Sequence, residues 1–140
     1  AESEHDAALI GLAYTTVAEI SITSYLALIE DGPDIQPVNR ATVALHERDE
    51  HCHASIADEM AVVVYRRLSE RDRAFFQASL DRAMEAFSAN DMTTWERILE
   101  LEDVPERDRM LREVAADATR EPLLQDYSGI EKLRRKLATC

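Results

Sequence analysis

Apolar residues run almost unbroken from Ala7 to Ile29, interrupted mainly by hydroxyls at Thr15, Thr16, Ser21, Thr23 and Ser24 and by one acid, Glu19. A stretch of this length has the reach to cross a bilayer. The hydroxyls lower its hydropathy, however, and a Glu in mid-span is costly in lipid. A helix that is apolar nearly all round is otherwise a helix buried in a bundle, and that is the prediction here. Glu30-Asp31-Gly32-Pro33 ends it with loop chemistry.

The pattern then opens out. From Pro37 to about Leu68 there is no further Gly or Pro, and Ala41, Ala44, Leu45, Ile56, Ala57, Met60, Val63 and Val64 carry the apolar positions of a second helix. At about 1.5 Å per residue this helix is about 45 Å long. Ser69 predicts an N-cap for a third helix, Glu70 to Ser88, with Phe75, Phe76, Leu80, Met84 and Phe87 at helical spacing. Asn90-Asp91 breaks it, and Asp91 is expected to cap a short helix through Trp95 and Leu99. Pro105 suits the first turn of a helix reaching about Ala118, and Ser128 is expected to cap a last helix, Gly129 to Leu137. The predicted architecture is an all-α helical bundle with antiparallel neighbours.

Composition narrows the function. The chain has 140 residues, 16 of them Lys or Arg and 28 Asp or Glu, for a net charge of −12. That balance argues against a nucleic-acid partner, because phosphate contacts need clustered cations. The late cluster Lys132, Arg134, Arg135 and Lys136 reads as charge at a helix C-terminus. A hydrophobic content of 46% excludes a disordered chain, and 3 Gly with 4 Pro are too few for an all-β domain. Cys52 and Cys140 form no disulfide framework, and the acidic start is not a basic signal region, so a reduced cytoplasmic protein is expected.

The chemistry concentrates in Leu45-His46-Glu47-Arg48-Asp49-Glu50-His51-Cys52-His53. His46, Glu50 and His53 are spaced i, i+4, i+7 and fall within roughly 60° around the helix axis. The same face continues through Ala57, Met60 and Val64, so two imidazoles and a carboxylate are expected to project into the core. Buried polar groups need partners. Glu19, the one acid of the apolar first helix, is the acid available, because a short connection makes the two helices antiparallel neighbours. Oxygen and imidazole donors together suit iron or manganese, and zinc accepts them too. Glu47 and His51 are expected to form an ordinary exposed pair. Cys52 points about 120° from the His46 direction and is left out. Glu2 and His5 repeat the Glu-x-x-His spacing but lie roughly 25 Å from Glu19 along a continuous helix.

Glu19 followed by His46-x-x-x-Glu50-x-x-His53 resembles the second half of the p-aminobenzoate N-oxygenase family of di-iron arylamine oxygenases. The family pattern is a Glu, a Glu-x-x-His, another Glu, and a His-x-x-x-Glu-x-x-His. The resemblance covers about Ala7 to Val64. It implies a ferritin-like bundle with Glu19, His46, Glu50 and His53 as metal ligands, two iron ions as cofactor with manganese as an alternative, and dioxygen as co-substrate. It also implies a small-molecule amine substrate, oxidised to a hydroxylamine, nitroso or nitro product. The first Glu and the first Glu-x-x-His of the pattern have no counterpart in this chain. Residues 1–140 are therefore expected to be either a single helical domain or the C-terminal segment of a larger helical di-iron domain. The site is expected to be completed by an upstream segment, a companion chain or a second copy. The rival readings are a ferritin-like metal-binding or storage protein without an organic substrate, and an acidic helical interaction module without metal. A membrane partner is not expected.

Overall fold

In the computed structural model, which describes residues 3–30, 35–89, 92–117 and 126–140, every regular element among the described residues is a helix. They are α1 (Glu4–Glu30), α2 (Pro37–Tyr65), α3 (Glu70–Ser88), α4 (Thr93–Leu101), α5 (Arg107–Ala116) and α6 (Ser128–Ala138). None of them is long and apolar enough to cross a membrane.

The helix ends follow local chemistry. Pro37 opens α2, where its missing N–H costs nothing. Ser69 caps α3 by accepting a hydrogen bond from the Asp72 N–H. Three expected boundaries shift. α2 ends at Tyr65, three residues before Leu68, and the Arg66 N–H closes its last turn on Val62. α5 starts two residues beyond Pro105, after Glu106, which takes a left-handed conformation with φ of 63°. Ser128 is the first residue of α6 rather than its cap; its N–H donates to Asp126 Oδ1, so the aspartate caps that end. The Asp91 cap and the Ala118 end lie outside the described residues.

The core is built by four helices. Ala13 and Val17 of α1, Ala61, Val62 and Tyr65 of α2, Phe76, Leu80 and Ala83 of α3, and Ile130, Leu133 and Leu137 of α6 form one buried cluster. α1 packs most extensively on α2 and then on α3, and α6 rests on α1 and α2. Gly129 allows the last contact: a Cβ there would stand 2.5 Å from Ile20 Cγ2. The Lys136 ammonium on the Asp58 carboxylate and the Arg134 guanidinium on Asp81 tie α6 to α2 and α3. Arg71 reaches Asp6 at 3.3 Å and joins α3 to the start of α1. Tyr65 and Phe76 meet at 6.0 Å between ring centroids, with the Arg73 guanidinium over the Tyr65 ring.

α4 and α5 are different. They pack on each other, and neither contains a buried residue. The expected inward face of α2 is also corrected. Ala57 is buried, but Met60 is 50% exposed and Val64 only half-buried; Ala61, Val62 and Tyr65 carry the contact instead. The helix is rotated so that its deepest residues stay in phase with Glu50, Ala57 and Ala61, one and two turns apart.

Candidate metal centre

α1 and α2 bring the sequence-selected residues together about halfway along their contact. Glu50 is buried, which is unusual for a carboxylate and demands partners. It has them on both sides. His46 Nε2 lies 2.7 Å from Glu50 Oε1, one turn before it. His53 Nδ1 lies 3.3 Å from Glu50 Oε2, three residues after it. A charged carboxylate is acceptor-only, so both imidazole N–H groups donate to it. The same His53 nitrogen is 3.6 Å from Glu19 Oε2, which arrives from α1. Glu19, Glu50 and His53 thus offer one donor atom each, all within 4.8 Å of one another.

The two carboxyls differ electrostatically. Burial pushes the Glu19 carboxyl above the ordinary glutamate value, and the adjacent Glu50 raises it further. Burial also works against charge on Glu50, but the hydrogen bonds from His46, Glu19 and His53 outweigh it and hold that carboxyl low. The two carboxyls are therefore pushed in opposite directions, Glu19 toward holding its proton and Glu50 toward charge. The cluster is a set of oxygen and nitrogen donors arranged around shared protons, which a hard or borderline divalent cation would replace. On donor chemistry the three residues fit one such ion. A pair of ions needs more carboxylates than these residues provide.

The histidines do not point into the core as the helical phase predicted. The His46 and His53 side chains are 56% and 53% exposed. They flank Glu50 at the edge of the α1–α2 seam. Glu47 and His51 form the expected outward pair at 3.9 Å. His5 ion-pairs with Asp72 at 3.3 Å on α3, away from the cluster, and Glu2 lies outside the described residues. Cys52 is free and exposed.

Beside the two carboxyls opens a cleft of about 280 Å³. Glu19 and Glu50 form its polar end, and Ile22, Tyr25 and Phe87 its apolar walls. Phe87 was legible only as a core position of α3; nothing in its spacing marks it as facing the α1–α2 seam. Tyr25 lines the cleft, Tyr14 packs against the core, Thr15 is exposed, and the Ser24 side chain lies outside the described residues. The imidazoles are oriented by Glu50 itself.

The family model described as "P-aminobenzoate N-oxygenase AurF" matches residues 2–137. The 4-aminobenzoate N-oxygenase of Streptomyces thioluteus is 31% identical over 126 residues, which are 90% of this chain. The chain spans 38% of that relative's length. With a family match that runs through all six helices, the chain belongs to the p-aminobenzoate N-oxygenase family.

Proposed function

We propose that this chain is the iron-holding segment of a non-haem di-iron N-oxygenase, acting in the cytoplasm on a small aromatic amine. The observation that carries the reading is the convergence of Glu19, Glu50 and His53 donors within 4.8 Å, in a member of this family. Glu19, Glu50 and His53 would hold iron directly. His46, already bonded to Glu50, would join them as the further imidazole ligand. When bound, iron supplies the redox chemistry: reduction of dioxygen coupled to oxidation of the amine nitrogen.

The chain's own residues set the conditions for that chemistry. Burial shields Glu50 from bulk water, while Glu19 is half-buried beside it and His53 stays at the exposed edge. Glu50 fixes both imidazole rings before any cation arrives, so less ordering entropy is lost on binding. The cleft puts apolar walls from Ile22, Tyr25 and Phe87 against the carboxyls. Its volume lies just under the roughly 300–1,000 Å³ of drug-sized ligand sites, which suits a single-ring amine. The remaining donors come from an upstream segment, a companion chain or a second copy.

Anaerobic loading with Fe(II), followed by metal analysis, tests the reading. Wild type is expected to retain iron and Glu50→Ala to lose it, with helical content unchanged. Equal iron in the two proteins would overturn the proposal. Turnover of 4-aminobenzoate, followed by mass spectrometry for oxygen gained at nitrogen, then separates an oxygenase from a storage protein.

A further inference from the structure

Thr16 carries a buried hydroxyl that bonds to nothing. It is 0% exposed, in the part of α1 that also buries Leu9, Ala13 and Val17. Its Oγ1 has no hydrogen-bond partner among the described residues. Buried hydroxyls normally find one, and each exception calls for an explanation. Elsewhere in this chain a helical hydroxyl closes on the carbonyl four residues back. Thr42 donates to Val38, Ser55 to His51, Ser79 to Phe75 and Ser88 to Met84, at 2.8–3.0 Å. Thr16 makes no such bond to the Leu12 carbonyl. Valine would fill nearly the same space without a desolvated hydroxyl, so packing alone does not ask for threonine here.

Its place on the helix shows what the hydroxyl can serve. Thr16 lies three residues before Glu19, so the two stand about 60° apart around α1 and one turn apart along it. Side chains on a helix lean toward its N-terminus, so Glu19 covers the turn that carries Thr15 and Thr16. The other members of the metal centre, Glu50 and His53, meet Glu19 from α2. A carboxylate that ligates through one oxygen keeps lone pairs on the other, and ligating carboxylates are in turn hydrogen-bonded. On α1 three hydroxyls lie within a turn of Glu19. Thr15 is exposed and open to water, and Thr23 is already bonded to the Ile20 carbonyl. Thr16 is enclosed and uncommitted.

We infer that the Thr16 hydroxyl donates to the non-ligating oxygen of Glu19 when that carboxylate holds a divalent cation. The inference rests on the proposed role of Glu19 as a metal ligand. Thr16 is then a positioning residue. It fixes the one ligand that α1 supplies, whereas Glu50 and the two imidazoles fix one another on α2. Its buried hydroxyl, a liability for packing, is a gain for binding.

Co(II) titration of the full chain, read by visible absorption, tests this together with the thermal midpoint measured in chelator. Thr16→Val is expected to weaken Co(II) binding by roughly tenfold, the lower end of the range for such partners, while the midpoint in chelator stays equal or rises. Thr16→Ser keeps the hydroxyl and loses a methyl, so it should lower the midpoint yet retain most of the affinity. Thr15→Val should bind as wild type does. A merely structural threonine would move the midpoint without this split. Circular dichroism checks each fold, and Thr16→Ala against Thr16→Ser gives the same contrast if valine does not fit. Absence of Co(II) absorption in wild type overturns the metal centre and this inference with it. Wild-type binding that Thr16→Val matches overturns the inference alone. So does a Thr16→Ser variant as weak as Thr16→Val, or a Thr15→Val variant that loses as much.

Discussion

His46 Nε2 meets Glu50 Oε1 at 2.7 Å across one turn of α2, so the histidine that precedes the Glu-x-x-His pair is bonded to its glutamate. In the proposed site His46 orients Glu50 and offers an imidazole of its own, and removing a partner of this kind typically costs roughly 10–100-fold in metal affinity. His46→Ala is therefore expected to weaken divalent metal binding by about 10–100-fold while leaving the helices intact. Titration with Co(II), followed by its visible absorption, measures this. An unchanged affinity would detach His46 from the site.

Gly129 touches Ile20, the neighbour of Glu19 in sequence. Alanine at 129 gains about 1 kcal/mol in helix propensity. It also drives a Cβ to 2.5 Å from Ile20 Cγ2, a branch fixed to the side chain's own Cβ that cannot swing aside freely. Overpacking of this kind costs about 1–3 kcal/mol, so the clash wins. Gly129→Ala should lower the thermal midpoint by a few degrees, and the same change should cost less in an Ile20→Ala background, where the clashing branch is absent. A midpoint that rises would mean that α6 slides at little cost.

Acid should loosen the contact between α3 and the start of α1. Bonds from Ser3 and the Arg71 charge hold Asp6 below the ordinary aspartate value of 3.8. Bonds from Ser69, then His5 and the Arg71 charge, do the same for Asp72. For a depressed carboxyl the native state binds fewer protons than the unfolded chain, so stability rises with pH through that window. The contribution is present above about 3.8 and is lost as pH falls through the lower native values. The stability gap between wild type and Asp6→Asn/Asp72→Asn should therefore close on acidification. A gap independent of pH would contradict the ion pairs.

α4 and α5 should open first. Helices of 9 and 10 residues are marginal alone, and neither has a buried residue to anchor it. Their amides should exchange far faster than those of α3, whose Phe76, Leu80 and Ala83 are buried. Hydrogen exchange by mass spectrometry distinguishes the two regions. Equal protection would show that something covers Trp95, Ile98 and Leu101.

The long elements were legible because their signals are local. α3 matches its expected span from Glu70 to Ser88, since the Ser69 cap and the aromatic spacing act within a few turns. The convergence of Glu19 with Glu50 and His53 followed from two facts in the sequence: a lone acid on an apolar helix, and a short connection to the next. The exposure of His46 and His53 did not follow. Helical phase fixes directions relative to Glu50, but the neighbour's position decides which side of that direction is covered, and α1 covers only the Glu50 side. Met60 is exposed for the same reason. The place of Phe87 in the cleft depends on how α3 crosses α1, which no spacing within α3 encodes.

α3 also works as a ruler. Its start is pinned by Ser69, its middle by Phe76, Leu80 and Ala83 in the core, and its last turn delivers Phe87 to the cleft. Adding or removing one residue before Phe87 would turn that ring by about 100° and leave the wall open. Replacing the ring alone would reshape the cleft without disturbing the core. Changes in the size of molecule accepted there can therefore arise by substitution at 87, whereas a change in the length of α3 would alter fold and cleft together.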